Sequence, residues 1–325
     1  MNAALLQVEH LTKHFVLGGD FVSRMAGRKR TLKAVDDISF SIKEGETLGL
    51  VGESGCGKST TGRLITRLIE PTSGAVRLDG EDMLAFNSKR MRRVRKQVQL
   101  VFQDPYSSLN PRKTIMQILG RPLELHIPGQ SWRERRERVL ELLNLVGLGR
   151  EHIDRYPHEF SGGQRQRIAI ARALAVEPML VIGDEPVSAL DVSVQAQILN
   201  LFRELQERLQ LTYLFIAHDL SVIRHISDRV AVMYVGKIVE TGPVNEVFAS
   251  PQHPYTKALM AAVPEADPDS PPPQLMLRGE VATPIDPPPG CRLCRRCPIA
   301  TPNCADDPPP LREVAPAHFV ACHNI

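Results

Sequence analysis

The chain has 325 residues, of which 42% are hydrophobic, 24% charged and 5% aromatic, with a formal net charge of +3. These proportions belong to a folded globular protein and exclude a fibrous or disordered chain; so weak a positive excess gives no global case for nucleic-acid binding. No run approaches the roughly 18–20 apolar residues of a membrane-spanning helix, and Met1–His10 lacks a basic segment followed by an apolar run, so neither a spanning helix nor a secretory leader is expected.

The first strand-like run is Thr47–Val51 (TLGLV). Directly after it comes Gly52-Glu-Ser-Gly-Cys-Gly-Lys58-Ser59, which fits G-x-x-x-x-G-K-[ST]. The spacing has a physical purpose. Glycines let the backbone curl so that N–H groups point at phosphate oxygens, and a helix starting near Lys58 adds its positive end. Lys58 supplies a cation for the β- and γ-phosphates, and Ser59 a hydroxyl for Mg2+. By average residue usage, the four fixed positions would recur by chance in roughly one chain in a hundred of this length. Cys56, inside the loop, reads as a small filler side chain.

Further along, Lys89–Lys96 (KRMRRVRK) and Arg133–Arg138 (RERRER) read as solvated helix faces. The run Val98–Phe102 ends at Gln103, and Ile168–Val176 reads as a helix with Ser161-Gly-Gly at its N-terminal side, an anion-binding position. Two more buried runs follow. Met179–Ile182 (MLVI) leads into Asp184-Glu185, and Thr212–Ala217 (TYLFIA) into His218-Asp219. A carboxylate at such a strand end reaches Mg2+, and a second beside it orients or deprotonates an attacking water. Apolar strands alternating with helices predict an α/β fold with a largely parallel sheet, whose ligands collect at the strands' carboxyl ends.

Composition shifts near Pro264. Fifteen of the 26 prolines lie in Pro264–Ile325, and five of the six cysteines in Cys291–Cys322. Pro271-Pro272-Pro273 reads as a stiff linker. The expected organisation is therefore 1–263 and 264–325. The cysteines run Cys291-x2-Cys294-x2-Cys297-Pro-x5-Cys304, then Cys322. In a reducing compartment disulfides are not expected. Four thiolates hold zinc or a [4Fe–4S] cluster, and both stay open on spacing, as do free thiols.

The residues Phe160-Ser-Gly-Gly-Gln-Arg-Gln-Arg167, with the phosphate loop and Asp184-Glu185, resemble the ATPase subunits of ABC transporters. The motif set spans roughly 5–240. Phe160 stands where the family pattern has Leu, and Gly183 where an apolar residue is usual. The resemblance implies a P-loop NTPase, ABC-type nucleotide-binding domain: a RecA-like core with an antiparallel β subdomain and a helical subdomain inserted at about 103–177. It implies ATP binding by Phe15, Gly52, Ser54, Gly55, Cys56, Gly57, Lys58, Ser59 and Thr60. Ser59, Gln103 and Asp184 would hold Mg2+, and Glu185, His218 and Gln103 would act in hydrolysis. Ser161, Gly162, Gly163 and Gln164 would cap the ATP of a second subunit, with Asp191 in the loop linking the two sites.

The segments Phe102–Arg112 and Ser250–Leu259 further resemble the dipeptide, oligopeptide and nickel importer subgroup, with wording closer to its F-type ATPase than to the D-type. That implies a peripheral protein at the cytoplasmic face of the inner membrane. A D-type paralogue, two integral permease subunits and, indirectly, an extracytoplasmic peptide-binding protein would be its partners; no nucleic acid is expected. Tails in the subgroup are similar to Gly290-Cys291, Cys297-Pro298, Cys304 and Val320-Ala321-Cys322, which implies [4Fe–4S] on Cys291, Cys297, Cys304 and Cys322 as a structural staple, with zinc the alternative and Cys294 an extra thiol. Two rival readings are a soluble ABC ATPase of DNA repair or translation and an iron–sulfur regulatory ATPase.

Overall fold

The computed structural model describes residues 4–17, 30–262, 277–279 and 282–325. The linker prolines Pro271–Pro273 and the predicted boundary at Pro264 lie outside the described residues. The chain forms two bodies. One is built from Lys43–Glu46 and Ala85–Ile216, the other from Ala4–Ile42, Thr47–Leu84 and Ala217–Ile325.

The second body contains β1 (Ala4–Leu17), β2 (Arg30–Lys43), β4 (Ser73–Leu78) and β5 (Glu81–Asp82), side by side in the order β2-β1-β4-β5. β1 pairs antiparallel with β4, and β4 with β5. This body also holds β3 (Thr47–Val51), the helix α1 (Lys58–Ile65), β9 (Arg229–Tyr234) and β10 (Lys237–Pro243). β3 runs parallel to β9, with Leu50 opposite Ala231. All five residues of β3 are buried. A continuous apolar run of this kind marks a strand covered on both faces.

The cysteine tail belongs to this body too. Its strands β11 (Arg312–Ala315) and β12 (His318–Val320) extend the sheet in the order β11-β12-β10-β9-β3. β12 pairs antiparallel with β10, Glu240 opposite Val320. Leu293, Val320 and Ala321 are buried, so the tail contributes to the core of this body.

In the first body, β6 (Val98–Val101), β7 (Leu180–Asp184) and β8 (Thr212–Ala217) lie parallel in that order. Around them are α2 (Ser88–Gln97), α3 (Pro105–Ser108), α4 (Ile115–His126), α5 (Trp132–Leu145), α6 (Gly162–Leu174) and α7 (Val192–Leu209). Caps set several helix starts. Thr114 with Gln117, and Ser131 with Glu134, form reciprocal capping boxes at α4 and α5. On α7, Ile198, Phe202 and Leu205 fall on one face and are buried. The Phe202 ring meets Tyr213 and Phe215 of β8 edge-on at 5.5 and 5.4 Å, an arrangement that aromatic quadrupoles favour. The shorter helices α8 (Leu220–Ile226), α9 (Val244–Ala249), α10 (Pro254–Ala261) and α11 (Asn303–Asp306) complete the second body.

Candidate functional site

The phosphate loop leaves the end of β3 and enters α1, as the sequence predicts. Its glycines are needed for space. A Cβ on Gly52 would lie 2.1 Å from the Met233 carbonyl oxygen, and one on Gly57 2.1 Å from that of Ala34. Gly57, at φ 114°, is also the N-cap of α1 and has no side chain with which to cap the first turn. Orphan N–H groups at such a terminus, with the helix dipole, suit an anion. Lys58 is buried, and its Nζ donates to the carbonyls of Gly52 at 2.7 Å and Glu53 at 3.1 Å. Ser54 and Gly55 are exposed at the rim, with Ser59 and Thr60 half-buried. Burial pushes the Cys56 thiol up, against the pull of Lys58, so a neutral filler fits better than a nucleophile.

Glu53, unremarked in the sequence, is held firmly. Its N–H donates to the Tyr255 hydroxyl at 2.8 Å, and Arg296 Nη1 donates to its Oε2 at 3.2 Å. Tyr255 lay inside a segment legible only as subgroup wording; Arg296 gave no signal. In the same body, His218 is exposed immediately after β8, and Phe15 is half-buried with Lys13 Nζ 4.9 Å from its ring centroid.

The first body carries the carboxylates. Asp184 ends β7, buried and in register with Ile216 of β8. Glu185 follows at φ 49°, a left-handed backbone uncommon outside glycine and found where a site over-determines it. Its N–H is fixed on the Ile216 carbonyl at 2.9 Å. Its Oε2 accepts from Gln103 Nε2 at 3.1 Å. Residues 82 apart in sequence are thus brought together. Gly183 has a reason as well: a Cβ there would lie 3.1 Å from Cγ of Pro186, whose ring occupies the space.

Ser161 is the N-cap of α6, and Gln164 reciprocates. The Ser161 N–H donates to Gln164 Oε1 at 3.0 Å, and the Gln164 N–H to Ser161 Oγ at 3.4 Å. Phe160 is buried, its ring 5.3 Å from that of His152, so the larger side chain is packed. A Cβ on Gly163 would lie 2.5 Å from Val194 Cγ1 on α7. Asp191 is the exposed N-cap residue of α7.

In the tail all five thiols are unpaired with one another. Cys291 N–H donates to the Cys304 carbonyl at 2.8 Å, tying the first cysteine turn to α11. Burial pushes the Cys291 thiol up to about 11, with Cys304, Cys297 and Cys322 adding in the same direction. Burial also raises Cys297, with Cys322, Cys304 and Cys294 as neighbours, and Cys322, with Cys304 as neighbour. The four cysteines Cys291, Cys297, Cys304 and Cys322 are therefore mutual neighbours. Among the described residues, no three His, Cys, Asp or Glu side chains stand ready-made around a single ion position.

The ABC transporter family profile matches residues 35–188, and that of the oligopeptide/dipeptide transporter C-terminal region matches 239–304. The oligopeptide transport ATP-binding protein AppF of Bacillus subtilis (strain 168) is 52% identical over 322 residues, covering 98% of this chain and 97% of its own length. A probable peptide ABC transporter ATP-binding protein, y4tS of Sinorhizobium fredii, is 51% identical over 324 residues, covering 99% of this chain and 90% of its own length. Among solved structures, the dimeric post-hydrolysis state of the ATP-binding cassette MJ0796 bound to ADP and Pi aligns at a TM-score of 0.65 and 30% identity, over 74% of this chain and 98% of that one. Among the described residues no helix is long and apolar enough to cross a membrane.

Proposed function

This chain belongs to the ATPase subunits of ABC transporters of the oligopeptide/dipeptide class, and from that premise we propose that it hydrolyses ATP to drive the import of di- or oligopeptides through membrane permease subunits at the cytoplasmic face of the inner membrane. The transport roles by which AppF and y4tS are named support the cargo class. The match of the tail to a transporter C-terminal region counts against a repair, translation or purely regulatory ATPase.

In this reading the loop Gly52–Thr60 takes the phosphates, Lys58 turning from its two carbonyls to the β- and γ-oxygens, and Phe15 lies against the adenine. Ser59, Gln103 and Asp184 would hold Mg2+, which would supply positive charge against the charge that develops on the transferring phosphoryl group. Glu185 is the general base that takes the water proton, with Gln103 steadying the water and His218 meeting the γ-phosphate. Ser161–Gln164 offers a helix N-terminus to the nucleotide of a second, D-type subunit, with Asp191 in the loop between sites. The dimeric state of MJ0796 supports such pairing. The helical subdomain is assigned to about 103–177, and the boundary with the tail to Pro264.

The single observation that carries the hydrolytic reading is the 3.1 Å hydrogen bond from Gln103 to a Glu185 fixed in left-handed backbone. Glu185→Gln is expected to keep ATP affinity while slowing hydrolysis by the assembled transporter about 100-fold or more. Turnover within a few-fold of the parent would remove Glu185 from the role of base. For the tail, the clustering of Cys291, Cys297, Cys304 and Cys322 supports a [4Fe–4S] cluster, with zinc the alternative. Metal bound there would favour the thiolate forms that burial disfavours and would cross-link a small module.

A further inference from the structure

Arg296 sits in the cysteine tail, between Cys294 and Cys297, yet its side chain ends on the phosphate loop 243 residues away. Nη1 donates to Glu53 Oε2 at 3.2 Å and to the Tyr234 hydroxyl at 3.3 Å. This is no flexible surface arginine: the residue is 9% exposed. Exposed pairs are worth little because water screens them and side-chain entropy opposes them. This pair is part-buried, with side-chain exposures of 11% and 27%, and such pairs are screened less than surface ones.

The turn that carries Arg296 is itself anchored. Its N–H donates to the Leu293 carbonyl at 2.8 Å, and its carbonyl accepts from Arg278 N–H at 3.0 Å. One turn earlier, Arg292 bonds the Asp36 carboxylate and the Val235 carbonyl. Asp36 is in turn bonded by His14 at 2.7 Å. The guanidinium therefore reaches Glu53 from a fixed base.

Glu53 is the second residue of the loop, and four partners hold it. Tyr255 takes its N–H, Lys58 and the Cys56 N–H bond its carbonyl, and Arg296 takes its carboxylate. Lys58 must leave that carbonyl to meet phosphate. Of the holds that remain, Arg296 is the one on the carboxylate. Glu53 also places a negative charge on a loop built to receive a polyanion, and Arg296 is the cation paired with it.

We propose that Arg296 is a positioning residue for nucleotide binding: it holds and neutralises the Glu53 carboxylate so that the phosphate loop accepts the triphosphate. The proposal rests on reading Gly52–Thr60 as the nucleotide loop. Equilibrium binding of ATP to the full-length chain tests it. Arg296→Ala is expected to weaken ATP binding about tenfold, the scale of a lost charge-assisted hydrogen bond. Arg296→Lys is expected to recover part of that, since it keeps charge without the guanidinium fork. Adding Glu53→Gln to Arg296→Ala is expected to return affinity to within about twofold of the parent. A merely structural latch would gain nothing from that second change, because the pair stays broken. Arg296→Gln, alone and with Glu53→Gln, serves the same comparison should the alanine variant fail to fold. Unchanged affinity in the single variants, or no recovery in the doubles, overturns the proposal. Lys58→Ala separates the premise: if it leaves ATP affinity intact, the loop reading fails; if it abolishes binding while Arg296→Ala does nothing, only the role of Arg296 fails.

Discussion

His253 is 1% exposed at the N-terminus of α10, where its Nδ1 accepts from the Tyr255 N–H at 3.1 Å and its own N–H donates to Glu240 at 3.0 Å. Burial holds its imidazole down at about 4, against a usual 6.5. Between these values the unfolded chain binds a proton that the folded chain refuses, so stability falls as pH drops below 6.5 and levels off near 4. From pH 7.5 to 5 the loss from this group is about 2 kcal/mol. Asparagine preserves a capping oxygen without titrating in this window. His253→Asn is expected to flatten that part of the acid loss, read as denaturation midpoint against pH. Parallel curves for parent and variant would clear His253 of the effect. Residues like these divide by how far their partners lie. Lys58, Glu185 and Ser161 stand out in the sequence because each sits in a local motif whose spacing suggests a chemistry. His253 and Tyr255 stood inside a recognisable segment without a visible task. Arg296 was silent, since nothing near it in sequence hints at Glu53.

At the scale of elements, α6 and α7 meet so closely that only glycine fits at 163. Replacing a helical glycine with alanine ordinarily gains about 0.5–1 kcal/mol by stiffening the unfolded chain. Here the added methyl would lie 2.5 Å from Val194 Cγ1, a short branched side chain that cannot swing away. Gly163→Ala is therefore expected to cost about 1–3 kcal/mol, and Val194→Ala, at a half-buried position, less. The double variant is expected to be more stable than the sum of the two, because the second change opens the space that the first fills. Denaturant unfolding of the four chains measures it, and simple additivity would show that the helices adjust without conflict. The same elements show what a sequence discloses. Thr47–Val51 and Thr212–Ala217 are strands over the residues read, since unbroken apolar runs belong to strands buried on both faces. Met179–Ile182 proves to be Leu180–Asp184. Its end was hidden because Gly183 and Asp184 are held by register with Phe215 and Ile216, not by apolarity. The helix read from Ile168 starts at Gly162, fixed by the Ser161/Gln164 box. The 14-residue strands β1 and β2 mix polar and apolar residues and offered no such run.

At the scale of the whole molecule, prolines and cysteines mark 264–325 as a linker and a tail. Within the described residues β12 continues the sheet at β10, and Arg292 and Arg296 reach Asp36 and Glu53. A strand of three residues pairing across some 80 positions, and a four-residue strand beside it, leave no periodic trace. Cys291 and Cys297 flank the turn that carries Arg292 and Arg296, Cys304 is on α11, and Cys322 follows β12. One metal cluster on these four would bind the turn, the helix and the strand into a unit, a cross-link of the kind a module with few buried side chains requires. The anaerobically purified chain is expected to hold iron and acid-labile sulfide in equal amounts, about four of each per chain. Cys304→Ser and Cys322→Ser are expected to lose both and to melt at lower temperature, because ligand loss removes binding energy that is also folding energy. Cys294→Ser is expected to retain both, since the tails this one resembles have no counterpart of Cys294 among their shared cysteines. Stoichiometric zinc without sulfide, or equal iron loss in the Cys294 variant, would refute the assignment.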